Sequence, residues 1–143
     1  MVQGFETVVG VVLDPLRNEL FYALKGQCSF LNVKKIMAKY LESLNCFVGT
    51  LTYRSDFLAN FFGETATNLL KQGYRFRLPG SAVLEMCYVA SARIDFYCNQ
   101  GLNVWDVSAA LLIMSESGVQ VLNAEKKSFS LKCFLKKCIN ISF

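Results

Sequence analysis

The chain has 143 residues, of which 53% are hydrophobic and 18% charged, and its formal net charge is +4. Twelve Phe, six Tyr and only two Pro exclude a disordered or collagen-like chain, because this much apolar surface collapses in water. Histidine is absent, which excludes Ser/His/Asp and Cys/His catalysis and His-ligated zinc. The length predicts one globular domain or a large piece of one.

The first half of the chain predicts a hairpin, further extended segments and a helix. The β-branched run at 7–13 predicts a strand, the turn residues at 14–18 end it, and 19–25 predicts the antiparallel partner. A short extended piece at 30–36 and a strand at 46–53 follow. Ser55 is then expected to cap a helix that ends near Lys71.

The second half alternates short strands with helices. A brief strand is predicted at 75–78, a helix capped by Ser81 runs to about Ala92, and a strand follows at 94–98. A third helix is predicted from about Trp105 to Gly118, with a last strand at 119–122. The sequence therefore predicts a layered α/β fold of the α+β type, in which helices pack on a mixed or antiparallel sheet.

The chain carries no pattern typical of export or of a membrane span. Charge-free stretches such as 96–105 and 107–115 are too short to cross a bilayer. The first residues lack the basic region and apolar core of a signal peptide, and the six cysteines form no Cys-x-x-Cys pair. We therefore expect a cytoplasmic protein whose cysteines are buried thiols.

The charges divide the chain near residue 125. Residues 1–125 carry ten basic and eleven acidic side chains, whereas 126–143 carry five Lys and no acidic residue. A basic tail of this size is typical of a solvated chain end, and contact with nucleic acid or an anionic membrane is the less favoured interpretation. We expect a folded part at 1–125 and a divergent basic tail at 126–143.

Cys87 and Arg93 have the Cys-x5-Arg spacing of cysteine-dependent phosphatases. A phosphate-binding loop needs inward-facing N–H groups and usually Gly, whereas the residues between these two are apolar helix formers without Gly. The sequence therefore predicts a helix with Cys87 packed inside, and not a nucleophile.

Three stretches together carry a recognisable pattern. They are Gly-Val-Val-Leu-Asp-Pro-Leu-Arg-Asn at 10–18, Gly-Ser-Ala-Val-Leu at 80–84 with Arg-Ile-Asp at 93–95, and Gly-Leu-Asn-Val-Trp-Asp-Val-Ser-Ala at 101–109. In order and spacing they resemble the inositol monophosphatase family of magnesium-dependent, lithium-sensitive phosphatases. The resemblance extends from about Gly10 to Leu122, and the Trp-Asp pair before an Ala-rich helix is its most specific element.

The resemblance implies hydrolysis of an inositol or sugar monophosphate by a water that Mg²⁺ activates. It assigns Asp106, at a helix start, to the metal and to catalysis. It assigns Gly80, Ser81, Ala82 and Asn99 to the substrate pocket, although the family usually has Glu where Asn99 stands. It also implies a homodimer or a complementing amino-terminal half as partner.

The family holds its metals mainly with a Glu and an Asp-Pro-x-Asp-Gly-Thr motif, both upstream of the region that matches, and neither motif is present here. Asp14 and Pro15 look like part of that motif, but Arg17 and Asn18 stand where Asp and Gly are needed, so we assign them to a turn. Asp106 alone cannot hold a magnesium cluster. We expect a fragment, split product or decaying copy that is inactive alone.

An alternative is a non-catalytic binding or assembly module that keeps the fold without the chemistry. Some bacterial relatives of the family are associated with the transcription machinery. The Lys-rich tail is the feature that could support an anionic partner such as RNA. A redox role for the cysteines is disfavoured by their spacing.

Overall fold

A computed structural model describes residues 1–3, 6–38, 48–53, 59–100 and 102–121. The strands in chain order are β1 (Val2–Gln3), β2 (Glu6–Thr7), β3 (Val9–Asp14), β4 (Glu19–Leu24), β5 (Ser29–Leu31), β6 (Lys34–Ile36), β7 (Val48–Tyr53), β8 (Arg75–Arg77) and β9 (Phe96–Gln100). The helices are α1 (Ala59–Lys71), α2 (Ala82–Ala90) and α3 (Val104–Glu116). Antiparallel and parallel sheets with packed helices confirm the predicted mixed α/β class.

Strands β3 to β6 form a four-stranded antiparallel sheet in sequential order. The predicted hairpin, β3 and β4, forms one side of this sheet, with Val9 opposite Leu24 and Asp14 opposite Glu19. At the turn, Asp14 Oδ1 accepts the N–H of Leu16 at 3.1 Å and that of Arg17 at 3.3 Å. This is the behaviour of a turn-forming aspartate, and it agrees with the assignment made from the sequence.

The segment predicted as one extended piece at 30–36 is a second, tighter hairpin. Strands β5 and β6 pair antiparallel, with Ser29 opposite Ile36. Asn32, between them, has a left-handed backbone with φ of 54°, which Asn tolerates better than most residues. Its Oδ1 accepts the N–H of Leu20 at 2.8 Å, so the turn also attaches to β4.

Strands β8, β7 and β9 form a parallel sheet in that order. Because side chains alternate along a strand, this sheet has two different faces. Cys98 packs on one face with Ala66 of α1 and Phe76 of β8, whereas Tyr97 belongs to the main core with α2 and α3. The parallel sheet therefore lies between α1 and the α2–α3 pair.

Helix α3 joins the two halves of the described structure. It contacts α2 and also strands β3, β4 and β5 of the antiparallel sheet. Val107, Ala110, Ile113 and Met114 are buried along its length. The Gly10 backbone approaches α3 so closely that an added Cβ would lie 2.5 Å from the carbonyl oxygen of Ala109.

The strand predicted at 119–122 is wrong for the part that is described. Residues 119–121 are not in a strand, because the N–H of Val119 bonds the carbonyl of Met114 at 3.0 Å and closes the end of α3. Gly118, with φ of 88°, permits this ending. Ser55, the predicted cap of α1, and the domain boundary predicted near residue 125 lie outside the described residues.

Within the described part of the chain, none of the helices has the length and apolar character that crossing a membrane requires.

Gly10→Ala should destabilise the protein by about 1–3 kcal/mol, because the new methyl group collides with backbone that cannot move independently. Gly63→Ala, in the exposed middle of α1 with nothing within 4 Å, is the matched control and should stabilise by about 0.5–1 kcal/mol. Urea unfolding of both variants measures the difference. Equal effects would show that Gly10 does not set the distance between β3 and α3.

Candidate functional site

The segment before α2 is held by a buried carboxylate and not by a serine cap. Ser81 is the N-cap residue, as predicted, but its hydroxyl makes no cap hydrogen bond. Instead Glu85, whose side chain is fully buried, accepts the N–H of Gly80 through Oε1 at 3.0 Å. Gly80 has φ of 87°, a conformation that favours glycine. Glu85 therefore fixes the turn that carries the predicted substrate residues Gly80, Ser81 and Ala82.

The start of α3 places Asp106 where the sequence predicted it, in the first helical turn. Its Oδ2 accepts the backbone N–H of Asn103 at 3.1 Å and the Asn103 side-chain amide at 3.2 Å. A carboxylate in this position is favoured by the helix dipole. Because Oδ2 takes both bonds, Oδ1 is the oxygen of Asp106 that a further ligand can use.

Tyr97 and Asn99 lie on the same face of β9 and are both buried. The Tyr97 hydroxyl and Asn99 Oδ1 have no hydrogen-bond partner in the described part of the structure. Burial is the main reason why the pKa of Tyr97 is raised, and the carboxylates of Glu85 and Asp106 raise it further, whereas Asn99 acts in the opposite direction.

The residues predicted from the sequence lie on three elements, of which α2 packs on both α3 and β9. Asn99 lies on the same face of β9 as Tyr97, Asp106 lies in the first turn of α3, and the Gly80 N–H bonds Glu85 of α2. Ser81 and Ala82 lie at the start of α2. Glu85 and Tyr97 were not predicted. The one available signal for Glu85 was a single acidic residue in an otherwise apolar helix.

Magnesium needs about six oxygens in near-octahedral geometry. Among the described residues there is no group of three His, Cys, Asp or Glu side chains that could hold a metal ion. Asp106 can supply one carboxylate, but the described residues do not by themselves fit a complete magnesium site. Asp14 is not an additional metal candidate, because Arg17 donates a hydrogen bond to its Oδ2 at 2.9 Å. This hydrogen bond is the main reason why the pKa of Asp14 is lowered.

The cysteine of the Cys-x5-Arg pattern is buried inside α2, as predicted. Cys87 is fully buried, and burial raises its pKa to about 12. The thiol therefore stays protonated near neutral pH, and a protonated thiol is a poor nucleophile. Arg93 is engaged elsewhere, in a two-pronged ion pair with Glu19 at 2.6 and 2.7 Å.

Comparison with known proteins gives one consistent family. The model of the inositol monophosphatase family matches residues 2–139. The Nus factor SuhB of Pasteurella multocida is 37% identical over 114 residues, which are 78% of this chain and 43% of that protein. The fructose-1,6-bisphosphatase/inositol-1-monophosphatase of Thermotoga maritima is 34% identical over 126 residues, covering 88% of this chain and 48% of that protein.

The solved structures agree with the sequence comparison. The IMPase of Thermotoga maritima superimposes with a TM-score of 0.82 at 30% identity, covering 96% of this chain and 51% of that chain. This chain thus spans about half the length of the curated relatives it matches.

Glu85→Ala should destabilise the protein by about 1–3 kcal/mol, because it removes a buried acceptor from the Gly80 N–H. Glu85→Gln keeps an acceptor oxygen and should retain most of that stability. Glu64→Ala, at an exposed position of α1, is the control and should change stability by at most about 0.5 kcal/mol. Chemical denaturation of the three variants tests this order. Equal losses for Ala and Gln at position 85 would contradict a role for the hydrogen bond.

Proposed function

The chain belongs to the inositol monophosphatase family, and on that premise we propose that it forms the substrate-facing part of an enzyme that hydrolyses an inositol or sugar monophosphate with Mg²⁺. The observation that carries the proposal is the packing of α2 on α3, two helices whose starts carry Gly80, Ser81 and Ala82 in one case and Asp106 in the other. The Thermotoga maritima relative, whose name includes both fructose-1,6-bisphosphatase and inositol-1-monophosphatase, supports this substrate class.

Asp106 is the proposed metal and catalytic residue. Asn103 holds its Oδ2 from two sides, so the carboxylate cannot rotate freely, and Oδ1 keeps a fixed direction. Bound Mg²⁺ would supply a more acidic water and neutralise charge on the phosphate and the leaving oxygen. Because the described residues contribute this single carboxylate, the other metal ligands must come from elsewhere, and the described residues alone are not expected to turn over substrate.

Gly80, Ser81, Ala82 and Asn99 are the proposed substrate contacts. The small residues at the start of α2 leave room for a ligand near free backbone N–H groups. The Ser81 hydroxyl makes no cap bond, so it can turn to a ligand without exposing a helix donor. Among the described residues Asn99 Oδ1 has no hydrogen-bond partner, and it carries no charge, which favours recognition of a hydroxyl over recognition of a cation.

The outer face of the antiparallel sheet supports a partner, either a second copy or a complementing half. Val11 and Leu13 of β3 and Leu20 and Leu24 of β4 are exposed on the face opposite α3. A contiguous apolar face of this kind usually lies in an interface. The proposed enzyme is therefore an assembly in which another polypeptide segment covers this face.

Magnesium binding at Asp106 can be tested without turnover, because the single tryptophan, Trp105, precedes it and is 77% exposed. Because a single carboxylate binds Mg²⁺ weakly, we expect a change in Trp105 fluorescence at high Mg²⁺ concentration in the wild-type chain and no such change in Asp106→Asn. Glu64→Gln, on exposed helix α1, is the control and should respond as the wild type does. An unchanged response in Asp106→Asn would remove Asp106 from the metal site.

A phosphatase assay with inositol 1-phosphate then tests the activity itself. The isolated chain should show hydrolysis no faster than the Asp106→Asn variant. Robust, lithium-inhibited hydrolysis that Asp106→Asn abolishes would support the phosphatase assignment and contradict the need for additional ligands.

The second candidate function is a non-catalytic assembly module, which relatives named Nus factor SuhB favour. The feature that could support an anionic partner is the basic segment 126–143, which lies outside the described residues. If it binds single-stranded RNA, replacing its five Lys by Gln should reduce the slope of log affinity against log salt by roughly 0.7 for each phosphate that a Lys neutralises in the wild type. Filter binding at several salt concentrations measures the slope. An unchanged slope would exclude this role for the segment.

A further inference from the structure

The antiparallel sheet of β3 to β6 is apolar on both faces, and a described helix covers one of them. Its inner face packs on α3 through Val12, Phe21 and Ala23. An antiparallel sheet with one face in water commonly alternates apolar and polar residues, whereas here the cross-strand pairs on the other face are apolar as well. We call this second surface the outer apolar face, and its members are Val9, Val11, Leu13, Leu20, Tyr22, Leu24 and Phe30.

The outer apolar face is exposed and uncharged. Its two most exposed members, Val11 and Leu13, have 54% and 58% of their surface in solvent. The charged residues of β3 and β4, Asp14 and Glu19, alternate onto the inner side of the sheet. A partner that covers the outer apolar face therefore needs apolar side chains and no complementary charge.

Two turn residues enlarge this apolar surface. Leu16 and Val33 are 94% and 97% exposed. Their turns lie at the same end of the sheet, since the Asn32 amide donates to the Asn18 carbonyl at 3.3 Å. With these two residues, the outer apolar face presents roughly 700 Å² of apolar surface, close to the about 800 Å² that each partner gives to an interface of standard size. The surface is thus large enough for a specific contact.

The edges of the sheet are less suited to association than this face. At one edge, β6 is three residues long and exposes Lys34 and Lys35, a common protection of edge strands. At the other edge, Met1 occupies the start of β3, where its amine donates to the Val9 carbonyl at 2.6 Å. Packing through the face is therefore favoured over strand addition, and a contact through one self-complementary face closes with two molecules.

We propose that a second copy of this chain covers the outer apolar face, so that the two antiparallel sheets pack face to face about a twofold axis. A second copy supplies a surface of the same area and the same lack of charge, which a partner with a polar surface would not. Sheets packed in this way lie about 10 Å apart with interdigitated side chains. The inference rests on the proposed function, because it names which partner covers this face.

Sedimentation velocity of the purified chain over a series of protein concentrations measures the association. We expect a reversible equilibrium between monomer and dimer, without larger species. Val11→Lys places an unpaired charge in the contact, so the dissociation constant of the dimer should rise roughly 10- to 100-fold. Leu70→Lys is the matched control, because Leu70 lies on α1 and its exposure of 57% is close to that of Val11. It should leave the dissociation constant unchanged.

A second variant keeps the test decisive if Val11→Lys does not fold. Leu13→Lys changes another exposed position of the same face, and it should weaken the dimer in the same direction. Circular dichroism and thermal unfolding confirm that each variant compared is folded. A wild-type chain that stays monomeric at all concentrations would overturn the proposal. A wild-type dissociation constant in the folded face variants, or association that continues beyond the dimer, would also overturn it.

A binding experiment identifies a different occupant of the face. Its probe is the part of the Thermotoga maritima relative that this chain does not match. If that polypeptide binds one to one to a wild-type chain that is monomeric alone, a complementing segment covers the face and the proposal fails. Failure of the proposed function looks different. It would appear as a missing Mg²⁺ response of Trp105 while the dimer and its weakening in Val11→Lys persist.

Discussion

The close packing of helix α3 against the antiparallel sheet is the constraint on which the described structure depends. At Gly10 the backbone of strand β3 lies so close to the backbone of Ala109 that a residue with a side chain would not fit. At the other end of the helix, Glu116 accepts the N–H of Gly26 at 2.8 Å, and Ser29 donates to an α3 carbonyl at 2.5 Å. The helix is therefore fixed to the sheet at several points along its length, and the direction of its first turn follows from this packing.

The geometry of the candidate site depends on this packing of α3 against the sheet. Asp106 stands at the free start of α3, and α2 packs on α3 with its own start held by Glu85. Strand β9 brings Tyr97 and Asn99 beneath the two helices. The residues proposed for the metal and for the substrate thus all lie on, or directly before, regular helices and strands.

Local patterns predicted the parts of this structure that depend on local interactions. The Asp14 turn, the hairpin around it and the position of Asp106 in a first helical turn follow from capping and turn preferences. The strand expected at 119–122 failed because a β-branched run after Gly118 was interpreted without the helix end that bonds Val119.

Features that depend on tertiary contacts were missed. Ser81 has the sequence of a side-chain cap, but a carboxylate four residues later takes the neighbouring N–H, and only the packing of α2 reveals that Glu85 is buried. The parallel pairing of β7 with β9 joins strands that are far apart in sequence, and it was not predicted that Tyr97 would stand opposite Thr50. Asn99 was assigned to the substrate pocket by the family resemblance, which compares whole motifs, whereas periodicity alone does not assign roles.

The far end of α2 has a consequence of its own. Ala92 adopts a left-handed backbone with φ of 57°. The guanidinium group of the next residue, Arg93, lies over the rings of Phe21 and Tyr88 and forms an ion pair with Glu19. Arg93 lowers the pKa of Glu19 below its ordinary value of 4.5, so this contribution to stability is present above that value and disappears as acid protonates Glu19. In acid Arg93 keeps its charge but loses its charged partner, so the contact that joins the end of α2 to strand β4 weakens.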